Sequence, residues 1–314
     1  MKTITYTVRT LLVFMLIFYC VGVYAQRKEV SYFNDSVDIC PLADKELIDS
    51  CYNLLDRNMM LETDGIYGQI AVIDATTSEV LAWASLEKQL DGDCGWCGDM
   101  VYVPFKKQVC STDIFVPFIA AKCLEESNTP LGKMVDTGCG IFEINDSLKI
   151  RDHNWRRGGY GEVTFEKALL MKSRIGMYKA FMTMPNGADL WEQAYDTIQK
   201  SNAIELAIFF NQMYHQRSSL GYVKKIATCI FEKTGIQHRL APRGIKLAGM
   251  YNILQCEDNN RSSDEFTFVG CFPADNPKYT ISMVVVRPHK LPATIGMLSK
   301  EVNLLIEWLM NRKK

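Results

Sequence analysis

Phe268-Val269-Gly270-Cys271-Phe272-Pro273-Ala274-Asp275-Asn276-Pro277-Lys278-Tyr279 decides the fold. The apolar residues up to Phe272 read as the end of a strand. Pro273-Ala274-Asp275-Asn276-Pro277 reads as a turn, because proline fixes φ and short polar side chains bond their own backbone. From Lys278 an apolar, β-branched run returns. Residues 266–272 and 278–287 are therefore predicted as a strand pair. A third strand is predicted just before it, over 245–254. Far upstream, 69–74 and 79–85 have strand character, and the turn Ala75-Thr76-Thr77-Ser78 joins them as a hairpin.

Helical patterns fill the space around these strands. Leu42, Leu47, Cys51, Leu54 and Leu55 line one face of a helix over 40–61 that ends before Asp64-Gly65. Ser111-Thr112-Asp113 opens a helix with capping side chains, and Pro117 falls in its first turn. Its apolar positions are Phe115, Phe118, Ile119 and Leu124. Thr164 opens a helix through Met182, with Glu166 favouring its first turn. Further helices are predicted over 189–202, 203–215, 221–233 and 296–311. Residues 132–154 are irregular, and the glycine-rich stretch 156–161 lacks the spacing of a phosphate cradle. The loop over 89–110 is long enough to be functional or disordered. The order of elements predicts an α+β fold: an antiparallel sheet flanked by helices, with an all-helical subdomain inserted between its halves.

The chain has 314 residues, 35 basic and 36 acidic, so no basic nucleic-acid footprint is expected. Lys2 and Arg9 precede an apolar run over 11–23, and Val23-Tyr24-Ala25 supplies small residues before Gln26. This predicts a cleaved signal peptide over 1–25, with a retained membrane anchor as the alternative, then a linker over 26–39 and one domain over 40–312. An exported protein of the periplasm or cell envelope is expected, with membrane association possible through that segment. Ten of the 11 cysteines would survive cleavage, an even set that permits disulfides. Cys94-Gly95-Trp96-Cys97 is a lone pair in a Gly/Asp loop, read as a loop disulfide or two free thiols rather than a redox or zinc site. His153, His215, His238 and His289 are scattered without metal-ligand spacing, so neither metal nor cofactor is expected.

Four stretches resemble one family, the transpeptidase domain of penicillin-binding proteins. Residues 70–85 resemble its opening hairpin and 268–279 its closing strands. Phe115-Val116-Pro117-Phe118 resembles the F-K-P-F after its nucleophile. Gly161-Glu162-Val163-Thr164 through Ala168-Leu169-Leu170 resembles the approach to its second motif. The resemblance spans roughly residues 40–310 and implies a serine acyl-transfer fold with the motifs S-x-x-K, S-x-N and K-T-G. In that chemistry the serine attacks a carbonyl and the lysine one helical turn later helps take its proton. The third motif binds the substrate carboxylate and borders the oxyanion site.

Carried over residue by residue, the nucleophile position is Asp113 and the lysine position Val116. The second motif falls on Lys172-Ser173-Arg174, with Lys172 and Arg174 where serine and asparagine belong. The third falls on Met250-Tyr251-Asn252, inside 246–255, which resembles A-G-K-T-G-T-A-Q with only its flanks kept. A literal Lys233-Thr234-Gly235 follows a helical pattern and reads instead as a helix end with a glycine cap. All three motifs are thus degenerate. The resemblance implies a cell-wall protein related to peptidoglycan cross-linking enzymes but without their catalysis. It would act as a binder of peptidoglycan stem peptides or as a scaffold for a cell-envelope protein. The competing reading is an active transpeptidase, carboxypeptidase or β-lactamase-like hydrolase using Ser111, Ser173 or Thr234. The charge changes suggest that Asp113 pairs with Lys172 or Arg174, with Asp113 acting only as a helix cap as the plainer alternative. Arg174 and Lys172 are the expected binders of a substrate carboxylate.

Overall fold

The computed structural model describes residues 44–89, 100–103, 110–145, 148–196, 200–215, 220–232, 235–258, 261–290 and 292–312. The expected signal segment and linker, the Cys94–Cys97 pair, and Lys233 and Thr234 lie outside these.

Chain order begins with α1 (Lys45–Arg57), capped by the Asp44 side chain, which accepts from Leu47 N at 3.2 Å. One π-helical turn (Asn58–Thr63) follows, and Asp64 closes it in the left-handed region. The expected hairpin is β1 (Tyr67–Asp74) and β2 (Val80–Lys88). Then come β3 (Met100–Tyr102), β4 (Cys110–Ser111), α2 (Val116–Glu126), β5 (Met134–Asp136), β6 (Ile141–Glu143), β7 (Lys149–Arg151), β8 (Glu162–Thr164), α3 (Phe165–Leu170), α4 (Arg174–Phe181), α5 (Gly187–Asp196), β9 (Lys200–Ser201), α6 (Ala203–His215) and α7 (Tyr222–Cys229). The chain closes with β10 (Ala248–Asp258), β11 (Arg261–Phe272), β12 (Tyr279–Pro288) and α8 (Ser299–Asn311).

Six strands form one antiparallel sheet in the order β10-β11-β12-β1-β2-β3. The closing strands and the opening hairpin therefore lie side by side, with β1 against β12 over Tyr67↔Val286 to Asp74↔Tyr279. Alternation assigns the two faces. Gly68 turns toward α1, where a Cβ would strike Leu55 and Met59. Gln69 turns the other way and its Oε1 accepts from Ala203 N at 2.9 Å, at the start of α6. The two helices are held differently. Leu47, Cys51 and Leu55 of α1 are buried and apolar. Polar rivets fix α6: Ser282 Oγ donates to the Ala203 carbonyl, Asn211 Nδ2 donates to the Ala75 carbonyl at 3.0 Å, and Thr280 Oγ1 donates to Asn211 Oδ1 at 2.9 Å. Each buried polar group so satisfied avoids a desolvation cost of about 1–3 kcal/mol.

Four expectations are corrected. The helix at Asp113 begins as a 3-10 turn (Thr112–Phe115), and α2 starts at Val116 with no side-chain cap; Pro117 does lie in its first turn. The single helix over 164–182 is two helices, α3 capped by Thr164 and α4 capped by Ser173, with Lys172 left-handed between them at φ 54°. The insert is not all-helical, because the ribbons β4–β9, β5–β8 and β6–β7 stand among its helices. Gly235 is not a left-handed cap: it is buried where a Cβ would lie 2.2 Å from the Cys229 and Ile230 carbonyl oxygens. No helix among the described residues is long and apolar enough to cross a membrane.

Candidate functional site

Three elements converge where the resemblance puts the reaction centre. Asp113 sits in the 3-10 turn before α2, Lys172 in the break between α3 and α4, and Asn252 on the outermost strand of the sheet, β10. The break is fixed from below by a residue that the sequence reading passed over. Asp152, 1% exposed, accepts from Ser173 Oγ at 2.8 Å and from Ile175 N at 3.1 Å. Ser173 Oγ in turn accepts from Gly176 N at 2.9 Å, the N-cap bond of α4. The backbone after Lys172 is therefore tied down, and its side chain reaches across to β10.

Lys172 Nζ donates to Asn252 Oδ1, and Asn252 Nδ2 donates to Asp113 Oδ2 at 3.3 Å. Asn252 is the middle member of a line that joins amine to carboxylate. Burial pulls the Lys172 pKa below the usual lysine value, and the charge of Asp113 opposes that shift without cancelling it. Lys172 thus reaches Asp113 through an amide. Arg174 is exposed at the first residue of α4.

The remaining motif positions are packing residues. Val116 is 1% exposed and Met250 is fully buried, so neither offers a proton acceptor. Tyr251 lies under the sheet with its ring 4.5 Å from Phe268. Its hydroxyl is buried with no hydrogen-bond partner among the described residues, and burial pushes its pKa well above the ordinary value. The outward edge of β10 at this residue is closed by Gln237, whose Oε1 accepts from Tyr251 N at 2.8 Å and whose Nε2 donates to the Tyr251 carbonyl at 2.7 Å. Met250, Tyr251 and Asn252 do lie in β10, whereas Gly235 lies in no strand.

Of the alternative nucleophiles, Ser173 is fully buried and its hydroxyl is engaged both as donor and as acceptor. The backbone of Ser111 pairs with Lys200 in the β4–β9 ribbon. Beside the cleft, Tyr160 OH lies 2.7 Å from His153 Nε2 and 3.5 Å from the Met171 carbonyl it donates to; burial, then the charge of Asp152, raises Tyr160 to about 12. Among the described residues no group of three or more His, Cys, Asp or Glu could hold a metal ion. Cys51, Cys123 and Cys271 are buried free thiols, all pushed up by burial.

No family model matches the chain, and no curated protein does. Solved structures do. The transpeptidase domain of penicillin-binding protein 3 from Burkholderia pseudomallei is 17% identical with a TM-score of 0.62, over 84% of this chain and 93% of that one. A peptidoglycan glycosyltransferase from Burkholderia ambifaria is 17% identical with a TM-score of 0.64, over 87% of this chain and 98% of that one. At this identity the likeness establishes the fold.

Proposed function

We propose that this chain, which has the fold of a penicillin-binding protein transpeptidase domain, is an exported cell-envelope module that binds a peptidoglycan stem peptide or a partner protein without acyl transfer. One observation carries the reading. A carboxylate at the nucleophile position, an amine at the second-motif serine position and an amide at the third-motif glycine position form one hydrogen-bonded line, and the two lysine positions hold apolar Val116 and Met250. Acyl transfer of the kind the resemblance implies needs a hydroxyl or thiol within reach of a base. Lys172 has a lowered pKa, but its amine donates to Asn252, and the Ser173 hydroxyl is held by Asp152.

Recognition would fall to Arg174. Its guanidinium is exposed one residue beyond Ser173, and a planar fork of donors suits a terminal carboxylate better than the point charge of a lysine. The test is calorimetric titration with a stem pentapeptide, followed by mass analysis of the same sample. The expected result is heat of binding that Arg174→Ala abolishes, with the peptide recovered intact. Absence of heat would remove the stem peptide as ligand, and loss of the terminal residue would restore the enzyme reading.

A further inference from the structure

The β6–β7 ribbon and the turn after it carry an amphipathic surface that the cleft does not use. Along the ribbon, side chains alternate: Phe142 and Ile150 turn inward, while Ile141, Glu143, Lys149 and Arg151 turn outward. Ile141 stands directly opposite Arg151. Ile141 and Leu148 belong to the exposed large apolar residues, at 36% and 47%. The next turn presents Trp155-Arg156-Arg157, and the guanidiniums of Arg151 and Arg156 lie 5.4 and 5.2 Å from the Trp155 ring.

The arginines differ from the ion-paired cations of the fold. Lys149, Lys225, Lys300 and Arg312 each have a carboxylate partner. Arg151, Arg156 and Arg157 are exposed and, among the described residues, none has a carboxylate within 4.0 Å. Their backbone is rigid. Asp152 N donates to the Gly140 carbonyl at 2.9 Å, and Gly159, at φ 72°, packs where a Cβ would lie 2.3 Å from Gly140 N. A rigid turn with three unneutralised guanidiniums, one tryptophan and two exposed aliphatic side chains combines what an anionic bilayer selects. Phosphate oxygens take bidentate arginine, and an amphipathic indole settles at the headgroup level.

We propose that this face docks on the surface of an anionic phospholipid bilayer, with Arg151, Arg156 and Arg157 on lipid phosphates and Ile141, Leu148 and Trp155 at the interface. It would orient the domain on a membrane independently of the apolar N-terminal run.

The experiment is hydrogen exchange on the full chain with vesicles of phosphatidylglycerol, of phosphatidylcholine, or with inorganic phosphate alone. The N-terminal run is the same in every arm, so local protection isolates the turn. Phosphatidylglycerol is expected to protect residues 148–157, in a salt-sensitive manner, and phosphatidylcholine is not. Each basic side chain near an anionic surface is worth roughly fivefold in affinity, so R151Q/R156Q/R157Q should need on the order of 100-fold more lipid for the same protection. These side chains are exposed, and an unchanged melting curve would verify that the variant folds. I141S/L148S should weaken protection while leaving its salt dependence. The proposal is overturned if the triple variant is protected like the wild type, if phosphatidylcholine serves equally, or if inorganic phosphate alone reproduces the protection.

Discussion

Asp264 and Asp113 both bring charge inside the protein, and the two clusters are built on different terms. Asp264, on β11, accepts from Arg287 Nε at 3.1 Å, Arg287 Nη2 at 3.0 Å and His289 Nδ1 at 2.5 Å. Arg287, 2% exposed, sends further N–H groups to the Lys290, Pro292 and Thr63 carbonyls and lies over the Phe266 ring at 5.0 Å. Burial works against the Asp264 carboxylate, but hydrogen bonds from His289 and Arg287 outweigh it and hold its pKa below the ordinary value. At Asp113 an amide joins the carboxylate to the Lys172 amine, and burial wins over attraction at Lys172. A buried ion is stabilising only where its remaining donors and acceptors are also matched. The first cluster meets that condition and clamps the loop after β12 to the turn after α1. At the second, burial disfavours the Lys172 charge.

Four measurements sharpen this contrast. The largest effect is expected at Asp264. Asp264→Ala leaves Arg287 buried without its counter-charge and should cost about 3–5 kcal/mol in denaturant unfolding. Because the folded pKa of Asp264 is depressed, its contribution is complete above the unfolded value of 3.8 and is lost as pH falls through the folded pKa. Asp264→Asn should therefore flatten the acid limb of a stability profile below about pH 4, in keeping with ordinary carboxylate titration. A profile as steep as the wild type would break the assignment.

Asp113→Ala should cost less, about 2 kcal/mol, since it removes the acceptor of the Asn252 amide and the charge that opposes the effect of burial on Lys172. Lys172→Met should fall within about 1 kcal/mol of the wild type, toward stabilisation, because removing a desolvated charge relieves its penalty. Equal losses for these two variants would mean that the line is a balanced pair like the first cluster. The smallest effect belongs to Tyr251→Phe, which deletes a hydroxyl buried without a hydrogen-bond partner among the described residues; a change within about 1 kcal/mol, toward stabilisation, is expected from thermal melts.

Five of the six sheet strands were legible because β-branched runs and the proline-flanked turn at Pro273–Pro277 leave few alternatives; their order across the sheet and β3, inside the stretch read as a loop, were not. Helix existence was legible too, but the break at Lys172 was not. Apolar spacing continues through it, and only the left-handed φ of Lys172 and the tie from Ser173 to Asp152 stop the helix. The flanking residues suggest motif positions, but they do not reveal the contacts of Asn252. Which of Asp113, Lys172 and Arg174 meet depends on side-chain reach across three elements distant in sequence. Asp152 and Gln237 escaped for the same reason: a buried carboxylate or amide serving a remote backbone leaves no local pattern.

The central proposal is that this chain performs no acyl transfer. Intact mass after exposure to a labelled penicillin tests it most directly. The account predicts an unchanged mass with no label retained. A stoichiometric covalent adduct, mapped by proteolysis to a residue of this cleft, would contradict it.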